Sequence, residues 1–200
     1  MYEPLEVWYE FASTYSYPAA MRVEAIAEGR GIDIRWKPFL LGPIFQALGW
    51  TTSPFNLQPA KGAYMWRDLE RTCAQLGLGF ARPAVFPQNG LMAARIALAL
   101  PDERARGAFT RAVYTSQFAQ GHDISDPALL EALLHSNGQD AGRIMGQAVS
   151  PSNKDALKEN TARAQAHGIF GAPTWRTADG ELFWGNDRLE DALDWHSKCA

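Results

Sequence analysis

Residues that favour β-structure are confined to the two ends of this chain, with a long helix-patterned stretch between them, and that separation decides which folds are open to it. Leu5 to Phe11 is short and rich in β-formers and predicts a strand. A turn follows at Ala12-Ser13-Thr14. From Tyr15 to Gly29, the residues Ala19, Val23 and Ile26 recur at helical spacing, and Gly29 with Gly31 gives a stop signal. Ile32 to Lys37 then alternates as a second strand closed by Pro38. At the other end, Pro173 to Thr177 and Glu181 to Trp184 are short β-type runs joined through Asp179-Gly180, a hairpin signal. Asn186 or Asp187 then caps a last helix carrying Leu189, Leu193 and Trp195. Neither end has enough strands to bury a sheet by itself, so the two are expected to share one.

Between the ends, Leu41 to Lys61 reads as a loop, broken by Gly42-Pro43, Gly49, Pro54 and Pro59. Helical patterning follows: Tyr64 to Leu76, Leu91 to Leu100, Arg106 to Gln120, Ala128 to His135 behind the Asp126-Pro127 cap, Asp140 to Val149, and Asn153 to His167 with Gly168 beyond its end. The organisation expected is an α/β domain from residues 1–40 and 169–200, interrupted by an all-helical insertion over residues 41–168 with its connecting loops. Such an insertion is cheap when its two ends lie close together on the host surface.

Composition narrows the function. A net charge of −3 without a sustained basic cluster argues against a nucleic-acid partner. No apolar run approaches the roughly 18 residues of a membrane span, and Met1-Tyr2-Glu3-Pro4 does not begin a secretory signal, so a soluble cytoplasmic protein is expected. The two cysteines, Cys73 and Cys199, form neither C-x-x-C nor a metal-type spacing, and the four histidines are scattered, so no metal site is expected. Most of the 23 aromatic rings (7 Trp, 6 Tyr and 10 Phe) are expected in the core, which leaves room for a few against a flat conjugated ligand.

Three segments carry chemistry if the ends share a sheet: Phe11-Ala12-Ser13-Thr14-Tyr15-Ser16, Gly171-Ala172-Pro173-Thr174, and Gly185-Asn186-Asp187-Arg188. A hydroxyl at a helix N-terminus, beside unpaired N–H groups and the positive dipole end, can hydrogen-bond an anion such as a thiolate. Pro173, after a small residue and before a strand, is a candidate cis bond. Asp187 can hold an ammonium group. Taken singly each has a plainer reading: Ser13 or Asp187 as a cap, Lys61 as a solvated charge, Pro173 as an ordinary trans proline. Either Ser13 or Ser16 can be the cap of the first helix, because Pro18 suits a helix that begins near it. Serine forms no disulfide, so Ser13-x-x-Ser16 excludes dithiol exchange at this corner. Attack by Ser13 itself would need a general base, and no histidine stands in a triad motif.

Phe-x-Ser-x-x-Ser-Tyr at Phe11 to Tyr17, Pro-x-Lys-Gly-x-Tyr-Met-x-x-Asp-Leu at Pro59 to Leu69, Phe-Gly-x-Pro-Thr at Phe170 to Thr174 and Trp-Gly-Asn-Asp-Arg-Leu at Trp184 to Leu189 together resemble the 2-hydroxychromene-2-carboxylate isomerase family. That family is similar to kappa-class glutathione transferases and, more distantly, to DsbA-type oxidoreductases. The resemblance covers Leu5 to Leu193. It departs at Thr14, where many members have proline.

The resemblance implies a thioredoxin-like domain with an inserted all-helical domain, a homodimer, and glutathione as cofactor for isomerising a small aromatic substrate. It makes Ser13 the catalytic residue, in contact with the glutathione sulfur. Ala172, ahead of Pro173, would pair with the cysteinyl part, and Asn186 and Asp187 with the γ-glutamyl end. Lys61, or the loop holding Asn56, would serve the glycyl carboxylate or the substrate. Trp50 and Arg82, with Trp66 and Phe86, are candidates for the substrate pocket. The rivals are a kappa-like transferase or peroxidase of broader electrophile range, and a non-catalytic binding module on the same scaffold.

Overall fold

A computed structural model describes residues 3–199. Strands β1 (Leu5–Tyr9), β2 (Ile34–Pro38), β3 (Thr174–Arg176) and β4 (Leu182–Trp184) form one sheet in the order β2-β1-β3-β4. The sheet therefore does join the two ends. β1 runs parallel to β2, as the intervening helix α1 (Ser16–Glu28) requires, and antiparallel to β3, with Glu6 opposite Arg176, Val7 opposite Trp175 and Trp8 opposite Thr174.

β1 is buried along its whole length because both faces of the sheet are covered. Leu5, Val7 and Tyr9 point into one cluster with Trp36, Trp175, α1 and the last helix α10 (Leu189–Cys199); Trp8 points into a second, with Phe39, Ile44, Ala164 and Ile169. Glu6 shares the Trp8 side, where an unpaired carboxylate would be costly. Trp8 Nε1 donates to it at 3.0 Å, Arg176 Nη1 approaches to 3.5 Å and Lys37 Nζ to 3.9 Å.

The stretch between β2 and β3 is helical as expected, with one correction. Residues 41–61 are not loop throughout: they form α2 (Leu41–Ala47), the single turn α3 (Pro54–Leu57) and the start of α4 (Pro59–Gln75). The prolines that read as breakers sit in first turns, where a missing N–H costs nothing, and the Ser53 hydroxyl accepts from Phe55 N–H ahead of α3. After them come α5 (Leu91–Ala99), α6 (Glu103–Tyr114), which runs on as a π-turn over Thr115–Ala119, α7 (Pro127–Ser136), α8 (Ala141–Ala148) and α9 (Pro151–Ala166). Gly168, past the end of α9, has φ +78°, as a C′ glycine requires.

Two helices bind this stretch to the sheet. On the Trp8 side, Thr161 of α9 accepts from Leu40 N–H at 3.2 Å and Asn160 donates to the Pro38 carbonyl at 3.2 Å. On the other side, the Tyr9 hydroxyl meets Thr110 of α6 at 2.9 Å in full burial, and the Tyr114 hydroxyl donates to the Glu10 carbonyl at 2.8 Å. At the last helix, Arg22 of α1 makes a two-pronged ion pair with Glu190 and donates to both oxygens of Asn186. α10 is preceded by a 3₁₀ turn, Asn186–Arg188, so Asn186 and Asp187 stand inside that turn rather than capping the helix.

The approach of α3 to α4 depends on Gly62, where a Cβ would fall on the Phe55 carbonyl oxygen, part of the backbone. Gly62→Ala should destabilise the protein by about 1–3 kcal/mol, the usual cost of overpacking. Gly146, exposed in α8 with open space around its Cβ position, is the contrast: Gly146→Ala should stabilise by up to about 1 kcal/mol. Urea unfolding of both variants checks the pair.

Candidate functional site

A cavity of about 540 Å³ opens where the β1–α1 junction, the segment before β3 and the α2–α4 region meet. Ser13 lies on its floor. Its hydroxyl donates to the Ala172 carbonyl at 2.8 Å, across 159 residues of chain, and accepts from Ser16 N–H at 3.3 Å. Ser13 therefore lies ahead of α1 and caps its first turn from three residues upstream, while Ser16 is buried inside that turn. The N–H groups of Thr14, Tyr15 and Ala172, which also line the cavity, donate to no acceptor among the described residues. The floor thus carries three backbone donors without partners among the described residues, which suits an anion or an extended peptide.

The Ala172–Pro173 bond is cis, as expected, and Phe86–Pro87 is a second cis bond that the sequence reading did not foresee. The Pro173 segment is held by Thr174 Oγ1 donating to the Gly171 carbonyl at 2.9 Å, Gly185 N–H to the Pro173 carbonyl at 3.0 Å and Trp175 Nε1 to the Gly185 carbonyl at 2.8 Å. Gly185 has φ +118°, and a Cβ there would collide with the Asp187 carboxylate, so this turn needs glycine.

The walls are apolar and aromatic. Phe45 and Trp50 pack at 5.5 Å on one side, Phe170 and Trp184 meet edge-to-face at 4.9 Å on another, and Leu40, Leu41, Phe55, Phe86 and Leu91 complete the lining. Phe170 and Trp184 are each about half exposed (53%), which is costly for large rings that serve only packing. Lys61 is the lysine on the lining. Its ammonium lies 5.7 Å from the Phe55 ring centre, with no carboxylate in ion-pair range among the described residues.

Of the residues expected at the site, Ser13, Lys61, Ala172, Trp50 and Phe86 line this cavity. Pro173 lies directly behind Ala172. Asn186 is taken up by Arg22. Asp187 is exposed and close enough to Tyr15 to oppose its ionisation, which burial and the hydrogen-bonded Asp68 already disfavour. Asn56 is behind the lining, where its amide donates to the Phe86 carbonyl at 3.2 Å and steadies that wall. Arg82 is not brought to the cavity. Its guanidinium stacks over Trp66 at 4.8 Å, and neither residue reaches the lining.

The sequence reading missed Glu10, which it took for part of a strand. β1 ends at Tyr9, and Glu10 begins the turn below Ser13 with its side chain partly open to the cavity. Burial pushes its carboxyl from the ordinary 4.5 up to about 8, against the opposing effect of Ala12 N–H, which donates to it at 2.9 Å. The usable signal was an acidic residue at the apolar end of a strand, three positions before the serine. Among the described residues, no three His, Cys, Asp or Glu side chains gather as metal ligands, and no helix is long and apolar enough to cross a membrane.

A strand–turn–helix corner facing a cis-proline, on a sheet closed from both chain ends, is the arrangement of a thioredoxin-type site, and the chain belongs to the DSBA-like thioredoxin domain family, which it matches over residues 4–194. Within that family it groups with the 2-hydroxychromene-2-carboxylate isomerases. It is 28% identical to the enzyme of that name from Sphingobium xenophagum (95% of this chain, 96% of the relative). It is 30% identical to the one from Pseudomonas sp. strain C18 (92% and 86%). Identity to glutathione S-transferase kappa 2 of Caenorhabditis elegans is 26% (95% and 90%). The fold is shared with a solved 2-hydroxychromene-2-carboxylate isomerase (TM-score 0.88, 23% identity, 98% and 96% covered). It is also shared with the disulfide reductase DsbM of Pseudomonas aeruginosa solved with GSH (TM-score 0.67, 13% identity, 98% and 97%).

The raised affinity of Glu10 for its proton fixes a sign. Between pH 4.5 and 8 the unfolded chain gives up this proton while the folded protein keeps it, so the group's contribution to stability declines as pH rises through that window. Glu10→Gln removes the decline. The melting temperature of the variant relative to wild type should climb from pH 5 to pH 8 and level off above, as followed by circular dichroism.

Proposed function

We propose that the protein is a glutathione-dependent isomerase acting on 2-hydroxychromene-2-carboxylate, which it converts to trans-o-hydroxybenzylidenepyruvate. The observation that carries this reading is a serine hydroxyl, instead of a thiol, set among unpaired N–H groups at the polar floor of an aromatic cavity. The identities to the named isomerases and the kappa-class relative support it.

The floor fits glutathione. Ala172 offers a free N–H and a carbonyl for strand-like pairing with its cysteinyl unit, and Lys61 an unpaired cation for a carboxylate; Asp187, outside the lining and exposed beside Arg188, is the carboxylate for its ammonium group. The chemistry glutathione supplies is a nucleophilic thiol whose reversible addition to a conjugated double bond frees rotation about that bond. The Ser13 hydroxyl, which now donates to the Ala172 carbonyl, would be the group to hold the sulfur, with the Thr14 and Tyr15 N–H groups as the further donors that would favour a thiolate. These donors are in place before the reaction, so little reorganisation accompanies the build-up of charge. Phe45, Trp50, Phe170 and Trp184 hold the aromatic ring and keep water from the reacting bond.

Ser13→Ala should lower turnover of the chromene about 100-fold, the scale for losing one aligned donor, with an unchanged circular dichroism spectrum. Wild-type turnover in this variant overturns the role of Ser13, and the absence of any glutathione-binding heat in wild-type calorimetry overturns the whole reading. A kappa-like transferase, the second reading, is favoured by the kappa relative and would show faster turnover with a generic electrophile than with the chromene.

A further inference from the structure

We propose that Glu10 is the proton donor and acceptor of this site, acting on a carbonyl oxygen of the substrate; the proposal rests on the isomerase reading. Three geometric observations carry it. First, the carboxyl is the only carboxylic acid among the described lining residues, and it sits on the same floor as Ser13, in one tight turn: Ser13 N–H donates to the Glu10 carbonyl at 2.9 Å. Second, its position is fixed from two sides. The Tyr114 hydroxyl of α6 holds the Glu10 backbone at 2.8 Å, and Ala12 N–H holds Oε2 at 2.9 Å, leaving Oε1 as the oxygen without a hydrogen-bond partner among the described residues. Third, Gly90 at the head of α5 closes over that free oxygen. A Cβ on Gly90 would stand 2.8 Å from Phe11 Cβ and in ordinary contact, 3.5 Å, with Oε1, so the Glu10 turn and the head of α5 pack this closely because residue 90 is glycine.

The electrostatic surroundings suit a proton that comes and goes. No cation pairs with Glu10 among the described residues. The titratable group set against it is Tyr114, itself kept neutral by burial, and the charge facing the same cavity is Lys61 of α4. Burial places the Glu10 carboxyl near pH 8, so at neutral pH the acid form predominates and can donate. Isomerisation about a double bond conjugated to a carbonyl drives negative charge onto the carbonyl oxygen while the bond is single. The Glu10 proton moves to that oxygen, leaving the carboxylate, and returns when the double bond re-forms and the carbonyl with it. Substrate and product then carry equal numbers of protons, no oxidant or reductant is needed, and the carboxyl ends in its starting form. A neutral carboxylic acid also avoids setting a second negative charge beside a thiolate.

The test combines a titration without substrate and kinetics with it. In protein labelled with ¹³C at glutamate carboxyls, a resonance absent from Glu10→Gln should titrate near pH 8. With glutathione and 2-hydroxychromene-2-carboxylate, wild-type kcat/KM should fall as pH rises through the same value. Glu10→Gln should lose that descending limb and about 100-fold or more of turnover, with glutathione affinity by calorimetry within twofold of wild type. Turnover retained in Glu10→Gln, titration of Glu10 in the ordinary carboxylate range, or loss of glutathione binding in the variant overturns the proton-transfer role alone. Wild-type protein that binds glutathione but leaves the chromene unchanged overturns the isomerase reading, and this proposal with it.

Discussion

The pairing of β1 with β3 is the interaction on which the rest of this molecule depends. Glu6, Val7 and Trp8 meet Arg176, Trp175 and Thr174 in antiparallel register, although more than 160 residues of chain separate them. The ladder fixes the distance between the turn after β1 and the segment before β3, and Ser13 and Ala172 meet at 2.8 Å as a consequence. Closing so long a loop costs entropy that grows only slowly with length, so the intervening helices can be extensive without destabilising the sheet. They also contribute: α9 covers the Trp8 side, while Tyr9 and Tyr114 tie the sheet and the Glu10 turn to α6.

The elements legible in the sequence were those whose pattern is local. β1, β2 and the β3–β4 hairpin show short runs of β-formers with turn residues between them, and α1 and α5–α9 show helical spacing, with a cap before α7 and glycine stops after α1 and α9, so their existence could be read without tertiary information. Residues 41–61 defeated that reading because proline has two meanings. Pro43, Pro54 and Pro59 look like breakers in a run of letters, yet in the first turn of a helix proline loses no hydrogen bond, and for α3 and α4 it is their packing through Gly62 that distinguishes the cases. Asp187 misled in a smaller way, since a cap residue and a residue of a 3₁₀ turn have the same composition.

At the site, the expected residues that the structure brings together at the β1–α1 corner are those whose chemistry lies in the backbone or in a hydroxyl. Arg82 was misplaced because a guanidinium is as well satisfied by an indole face as by a ligand, and nothing in the linear sequence ranks the two. Glu10 was overlooked for the opposite reason. Its importance arises from burial, which a strand of apolar residues suggests for every position alike, and from the end of β1 at Tyr9, which turns the next side chain away from the sheet and toward the cavity.

What distinguishes this corner from a redox one is where charge can reside. A dithiol site stores and releases electrons in its own sulfur atoms; with Ser13 and Ser16 in place, the two positions can only donate and accept hydrogen bonds. Any thiol chemistry at this corner would have to come from a ligand, with the two serines contributing hydrogen bonds alone. The observed floor adds unpaired N–H groups at Thr14, Tyr15 and Ala172, beneath walls of aromatic rings that lower the local dielectric and strengthen each of those dipoles. Burial has the opposite effect on Glu10, which has one N–H donor against it and is raised to about 8, so the floor sets unpartnered donors beside a carboxylic acid that keeps its proton near neutral pH.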